Sequence, residues 1–124
     1  GAKLDSYEKI ISAAKKYIKM GAANIIIISM GAEGAFFVSE SIVYLATPFK
    51  FKCKSTVGAG DSMVAALAYG LQKGYDFKTI ACMAVAAGTI TASKEGSDVC
   101  TLKEVMENMH YIQIKDLTTV VSKI

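Results

Sequence analysis

Three features of the sequence predict an α/β fold in which helices flank a sheet. Residues 25–28 are four consecutive isoleucines, a β-branched run typical of a buried strand. An amphipathic helix pattern precedes this run. Two apolar helix patterns follow a glycine-containing segment at residues 55–62. Elements in this order are expected to form layers around one hydrophobic core.

The composition indicates one domain and excludes several classes of protein. Hydrophobic residues make up 52% of the 124 residues, which is enough for a sizeable core. The formal net charge is +3, and no cluster of basic and aromatic residues suggests nucleic-acid binding. No apolar run approaches the roughly 20 residues that span a membrane. Three cysteines without a C-x-x-C pair favour a reducing, cytoplasmic location.

The first half of the chain predicts one helix and an antiparallel strand meander. Residues 4–20 have helical spacing, and residues 24–30 form a strand that we expect to be covered on both faces, as in a parallel or mixed sheet. Strands at 35–39 and 42–46 follow after tight turns, and their connections are too short for parallel crossovers. Alternating apolar and basic residues at 49–54 predict a further, half-exposed strand.

The second half predicts three helices and an edge strand. A mostly buried helix covers residues 61–73, and Asp76 is placed to cap a second helix over 77–93 that is apolar nearly all round. Thr101 and Glu104 have the spacing of a capping box for a short helix to about residue 109. Residues 112–114 are expected to add an edge strand.

The segment Gly58-Ala59-Gly60-Asp61, here called the 58–61 turn, has the composition of an anion-binding site. Glycines allow the backbone to approach an anion, and a helix start offers unpaired N–H groups. An acid at this position suits proton transfer beside a bound phosphoryl group. Two plainer interpretations stay open: an ordinary turn, and an acid that only stabilises the helix dipole. The segment lacks the Gly-Lys-Ser/Thr of a P-loop and the third glycine of a dinucleotide site.

A second glycine-containing turn, residues 29–34, follows the isoleucine strand and is called the 29–34 turn. Open α/β sheets bind ligands at the carboxyl ends of strands, so this turn is a second candidate site. A simple hairpin turn explains the same residues, and both functions are compatible.

Residues 55–66, Ser-Thr-Val-Gly-Ala-Gly-Asp-Ser-Met-Val-Ala-Ala, resemble the C-terminal signature of the ribokinase-like (PfkB) carbohydrate kinases. The likeness is greatest to the branch that contains 1-phosphofructokinase and tagatose-6-phosphate kinase. Residues 29–38 and 44–48 also resemble that family. Ser55 stands where many members have Asp, as is frequent in the hexose-phosphate branch. The resemblance implies a layered, ribokinase-like sheet flanked by helices, of which this chain is the C-terminal portion only.

The resemblance also implies a function and a role for individual residues. The activity would be ATP-dependent phosphorylation of a sugar phosphate such as fructose 1-phosphate or tagatose 6-phosphate, with Mg²⁺ bridging the ATP phosphates. Asp61 would be the catalytic base, within an anion hole formed by the amides of Gly58, Ala59, Gly60 and Asp61. Residues that would contact ATP are Ser29, Gly31, Ala32, Glu33, Gly34 and Gly60 on the phosphate and ribose side, and Ala84, Ala87 and Gly88 beside adenine.

Members of this family are considerably longer than 124 residues. Residues 1–124 would therefore form a single nucleotide-binding part, without the N-terminal sugar-binding part and its lid. We expect this part alone to be inactive. We also expect it to expose a sheet edge that favours homo-oligomers, and to bind neither nucleic acid nor membranes. The alternatives are another ribokinase-family sugar or nucleoside kinase, and a non-catalytic nucleotide-binding module.

Overall fold

Four strands form one antiparallel sheet whose strand order follows the chain. The strands are β1 (Ile26–Ser29), β2 (Ala35–Val38), β3 (Val43–Thr47) and β4 (Gln113–Asp116). The helices are α1 (Ala2–Lys19), α2 (Ala59–Lys73), α3 (Phe77–Ala92), α4 (Leu102–Asn108) and α5 (Thr118–Val121). This computed structural model describes residues 2–121, and side chains from residue 7 to residue 119. The α/β class and the antiparallel meander predicted from the sequence are confirmed.

Alternating side chains of the sheet build a separate core on each face. Phe36 and Val38 of β2 pack with Ile11 of α1. The intervening Phe37 packs on the other face, in the core that contains most of α3. Ile27 of β1 contacts this α3 core, while its neighbours Ile26 and Ile28 contact the α1 core. Strand β1 is therefore covered on both faces, as expected, although its only described partner, β2, is antiparallel.

Side-chain caps fix the starts of two helices at the predicted positions. The Asp76 carboxylate accepts a hydrogen bond of 2.7 Å from the Thr79 amide at the start of α3. Thr101 and Glu104 form a complete capping box at the start of α4. The predicted edge strand is also present and pairs with β3, but it begins one residue later and ends two residues later than the predicted 112–114. The two caps were predictable from the sequence because each one involves residues three positions apart.

The prediction of a strand at residues 49–54 is wrong. This segment is irregular, because β3 already pairs with β2 on one side and with β4 on the other. The amides of Lys54 and Ser55 instead donate hydrogen bonds of 2.8 and 3.2 Å to the Ala92 carbonyl, at the end of α3. Among the described strands, β1 and β4 lie at the edges of the sheet, and residues 49–54 pair with neither, so the alternating pattern alone was not sufficient to form a strand.

The prediction that α2 is mostly buried is also wrong for the described residues. Met63, Ala66 and Gly70 are buried, and α2 packs closely on α3. On other faces of the helix, Val64 is 59% exposed and Leu71 is 53% exposed. Helix α2 therefore has apolar side chains that the other described elements of this chain leave exposed. In the described part of the chain, no helix is both long enough and apolar enough to cross a membrane.

The capping box of α4 makes a pH-dependent contribution to stability. Lys94, 2.9 Å from Glu104, and the Thr101 hydrogen bonds lower the pKa of the Glu104 carboxyl. Since its pKa is lower in the folded state, its stabilisation is complete above the unfolded pKa and is lost as the pH falls through the folded pKa.

We expect Glu104→Gln to reduce the free energy of unfolding of the full-length protein at pH 7 by up to about 1 kcal/mol, with no difference remaining in acid. Thr101→Ala should cost about 1 kcal/mol at pH 7, because an α4 backbone N–H loses its acceptor. Urea denaturation at several pH values measures both effects. If Glu104→Gln reduces the free energy of unfolding as much in acid as at pH 7, the stabilisation does not come from the charge of the Glu104 carboxylate.

Candidate active site

The 58–61 turn forms the start of α2. Gly58 is the residue before the helix and has φ 79° and ψ −4°, in the left-handed region that favours glycine. Its carbonyl accepts a hydrogen bond of 2.9 Å from the Ser62 amide, which closes the first helical turn. The first amides of a helix have no acceptor within the helix, so this turn presents N–H donors at the positive end of the dipole.

Asp61 lies in the first turn of α2, and its side chain is exposed. Among the described side chains, no salt bridge or hydrogen bond to its carboxylate is found. The carboxylate therefore remains available to accept a proton or a hydrogen bond from a ligand. It lies beside amides that suit an anion, which is the combination predicted from the sequence.

A cleft of about 450 Å³ opens beside the 58–61 turn, between α2, α3 and the segment that leads into α4. Its walls are largely apolar, and among the residues that the structure describes Asp61 is the one charged residue that lines it. The lining residues are Gly58, Asp61, Ser62, Ala65, Ala66, Tyr69, Met83, Ala87, Val99, Cys100, Leu102 and Val105. An apolar cleft with a single carboxylate at one end is a typical setting for a small-molecule site.

The three α3 residues that were predicted to border adenine lie in three different environments. Ala87 lines the cleft together with Gly58 and Asp61. Ala84 is fully buried in the core. Gly88 is a contact point between helices, since an added Cβ would lie 2.8 Å from Met63 Cγ and 3.4 Å from the Ala59 carbonyl oxygen. Neither residue lines the cleft: Ala84 belongs to the hydrophobic core, and Gly88 packs against the start of α2.

The 29–34 turn lies at the carboxyl end of β1, where the sequence places it. Residues 31–33 form one turn of 3-10 helix, and Ser29, Gly31, Ala32 and Glu33 are exposed. The turn is closed by a hydrogen bond of 2.8 Å from the Met30 amide to the Gly34 carbonyl. None of these residues lines the cleft beside Asp61. The structure therefore gives two separate candidate surfaces, and the cleft itself does not include the 29–34 turn.

A buried polar contact that the sequence analysis did not identify joins the end of α3 to the start of α2. The Ser62 and Thr91 hydroxyls are 2.8 Å apart, and Thr91 Oγ1 accepts a hydrogen bond of 3.0 Å from the Cys100 amide. The signal in the sequence was the pair Thr89 and Thr91 within the largely apolar second half of α3. Its partner was not predictable, because Ser62 lies 29 positions away.

Residues 1–104 match the family model described as pfkB family carbohydrate kinase. The chain belongs to the pfkB family of carbohydrate kinases. The chain is 35% identical over 119 residues to 1-phosphofructokinase of Borreliella burgdorferi, and 40% identical over 119 residues to that of Haemophilus influenzae. These alignments cover 95% and 93% of the chain, but only 38% of each relative.

Solved structures show the same fold. Phosphofructokinase-2 of Escherichia coli in complex with potassium matches 82% of the chain with a TM-score of 0.77 and 29% identity. Ribokinase from Thermotoga maritima matches 79% with a TM-score of 0.72 and 25% identity. The match covers 33% of either solved chain, and the predicted ribokinase-like architecture is confirmed.

Proposed function

We propose that the protein containing this chain transfers the γ-phosphoryl group of ATP to a hydroxyl of a sugar phosphate of the fructose 1-phosphate or tagatose 6-phosphate type. The observation that carries the proposal is the Asp61 carboxylate at a helix start in a pfkB family member. The Ala59 amide of this turn donates to the Thr56 carbonyl at 3.3 Å, whereas no acceptor is found for the amides of Gly60 and Asp61 among the described residues. Relatives named 1-phosphofructokinase support a phosphorylated ketohexose as the acceptor.

In the proposed reaction, Asp61 accepts the proton of the acceptor hydroxyl. The acceptor oxygen forms a bond to the γ-phosphorus, and the bond to the bridging β–γ oxygen breaks, so that ADP leaves with the electron pair. The amides of the 58–61 turn donate hydrogen bonds to the oxygens of the transferring group, where negative charge must be stabilised. Chemistry of this kind depends on positioning, which a rigid helix start provides.

We assign the nucleotide contacts by exposure. The exposed residues of the 29–34 turn are proposed to contact the ATP phosphates and ribose, with Gly60 on the side of the phosphoryl group. Ala87 is proposed to border adenine, because it lines the cleft. Ala87, Ala84 and Gly88 are all buried, but Ala84 and Gly88 do not line the cleft, so we give these two a packing role in place of the predicted contact.

We propose that Mg²⁺ is held by the ATP phosphate oxygens. In the part of the chain that the structure describes, no group of three His, Cys, Asp or Glu side chains is arranged to hold a metal ion. Bound in this way, the ion would neutralise phosphate charge during transfer.

Assays of the full-length protein with ATP and four acceptors test this proposal. We expect fructose 1-phosphate or tagatose 6-phosphate to give a kcat/KM at least about tenfold above that of ribose or adenosine. A preference for ribose or adenosine would instead support another kinase of the family. ATP binding in calorimetry without ADP formation from any of the four acceptors would overturn the proposal and favour a non-catalytic module.

A further inference from the structure

The end of α3 is connected by hydrogen bonds to both sides of the 58–61 turn. On the downstream side, the Thr91 hydroxyl is 2.8 Å from that of Ser62, the residue after Asp61. On the upstream side, the Ala92 carbonyl accepts hydrogen bonds from the amides of Lys54 and Ser55. Two consecutive residues of one helix therefore hold the segments that enter and leave the turn.

Thr91 also contacts the turn and the cleft wall directly. A Cβ added to Gly58 would lie 3.8 Å from Thr91 Cγ2, so the threonine methyl group packs against the left-handed glycine. Its Oγ1 accepts the Cys100 amide at 3.0 Å, and Cys100 lines the cleft. Thr91 is 1% exposed and Ser62 is 8% exposed, so water has little access to replace a lost bond.

We propose that Thr91 is a positioning residue that holds the 58–61 turn in the geometry required for phosphoryl transfer. The inference rests on the proposed function, since it concerns the same turn. Without the Thr91 hydroxyl, the Ser62 hydroxyl and the Cys100 amide both lose a buried partner. The first turn of α2 then shifts to recover hydrogen bonds. Donors that must meet the transferring group are displaced, while the proposed ATP contacts of the 29–34 turn, which does not line the cleft, persist.

The test compares Thr91→Val, which keeps the shape, with Thr91→Ser, which keeps the hydroxyl, in the full-length protein. We expect Thr91→Val to lower kcat by about 10- to 100-fold and to change the KM for ATP less than about threefold. Thr91→Ser should retain kcat within about threefold of the unmodified protein. Thr89→Val, which removes a hydroxyl from another buried position of α3 outside this network, is the matched control and should leave kcat within about twofold.

A double variant separates positioning from general destabilisation. Because Ser62 and Thr91 act as one unit, Ser62→Ala combined with Thr91→Val should lower kcat no more than about twofold beyond Thr91→Val alone. Hydrogen exchange of the Ser62 amide, which donates to the Gly58 carbonyl, should become faster in Thr91→Val, and this gives a readout if activity is too low to measure.

Three results would overturn the role of Thr91: a Thr91→Val kcat within twofold of the unmodified protein, a Thr91→Ser kcat as low as that of Thr91→Val, or unchanged exchange of the Ser62 amide. An unmodified protein that transfers no phosphoryl group is a failure of the proposed function instead. In that case, the hydrogen-exchange comparison still tests whether Thr91 holds the turn.

Discussion

Asp61→Asn in the full-length protein is expected to lower kcat by about 10²- to 10⁴-fold, the range typical for loss of a general base. The asparagine side chain is nearly the same size but cannot take up the acceptor proton. The amides of the 58–61 turn and the nucleotide contacts remain, so the Kd for ATP should change less than about threefold. Steady-state kinetics gives the first value and calorimetry the second.

The matched control for this substitution is Asp98→Asn. Asp98 is also exposed, and it lies in the loop before α4 without lining the cleft. Its substitution should leave kcat within about twofold, because surface changes away from a site have small effects. An Asp61→Asn protein with nearly normal kcat would show that Asp61 only stabilises the helix start, the plainer interpretation of the sequence.

Gly34→Ala is expected to have the largest effect on stability. Gly34 has φ 102° and ψ −142°, a backbone conformation that L side chains rarely adopt. An added Cβ would also collide with the Ala46 carbonyl on the neighbouring strand. Strain and collision together should reduce the free energy of unfolding by about 3 kcal/mol or more.

Gly31→Ala is the matched control, in the same turn. Gly31 has φ 60°, but no atom lies within 4 Å of an added Cβ, so only the left-handed strain remains. The expected cost is about 1 kcal/mol. Urea denaturation of both full-length variants tests the pair. Equal costs would contradict the close approach of Gly34 to β3.

The sequence was sufficient where structure depends on neighbouring residues, and insufficient where it depends on distant partners. The helix caps at Asp76 and Thr101 were predictable, because each involves residues a few positions apart. The start of α2 was predicted at residue 61 and lies two residues earlier, at Ala59. The strand predicted at 49–54 does not form: the end of this segment bonds to the Ala92 carbonyl at the end of α3, a distant partner that the local pattern does not report.

In the candidate site too, features that depend on neighbouring residues were predictable and features that depend on distant residues were not. The 58–61 turn and its acid were predictable from one short segment, and family resemblance suggested their roles. The cleft wall at residues 99–105 was not predictable, because α4 reaches Asp61 only through tertiary packing. The burial of Ala84 and Gly88 was missed for a related reason. A small residue on an apolar helix can border a ligand or another helix, and the spacing is the same in both cases.

A crystal structure of the full-length protein with ADP, aluminium fluoride and the preferred sugar phosphate tests the central claim most directly. Our account predicts that the fluoride atoms of the phosphoryl mimic lie within hydrogen-bond distance of the amides at residues 58–61. The Asp61 carboxylate should meet the acceptor hydroxyl. A mimic bound away from this turn, or an Asp61 carboxylate directed away from the acceptor, would contradict the account.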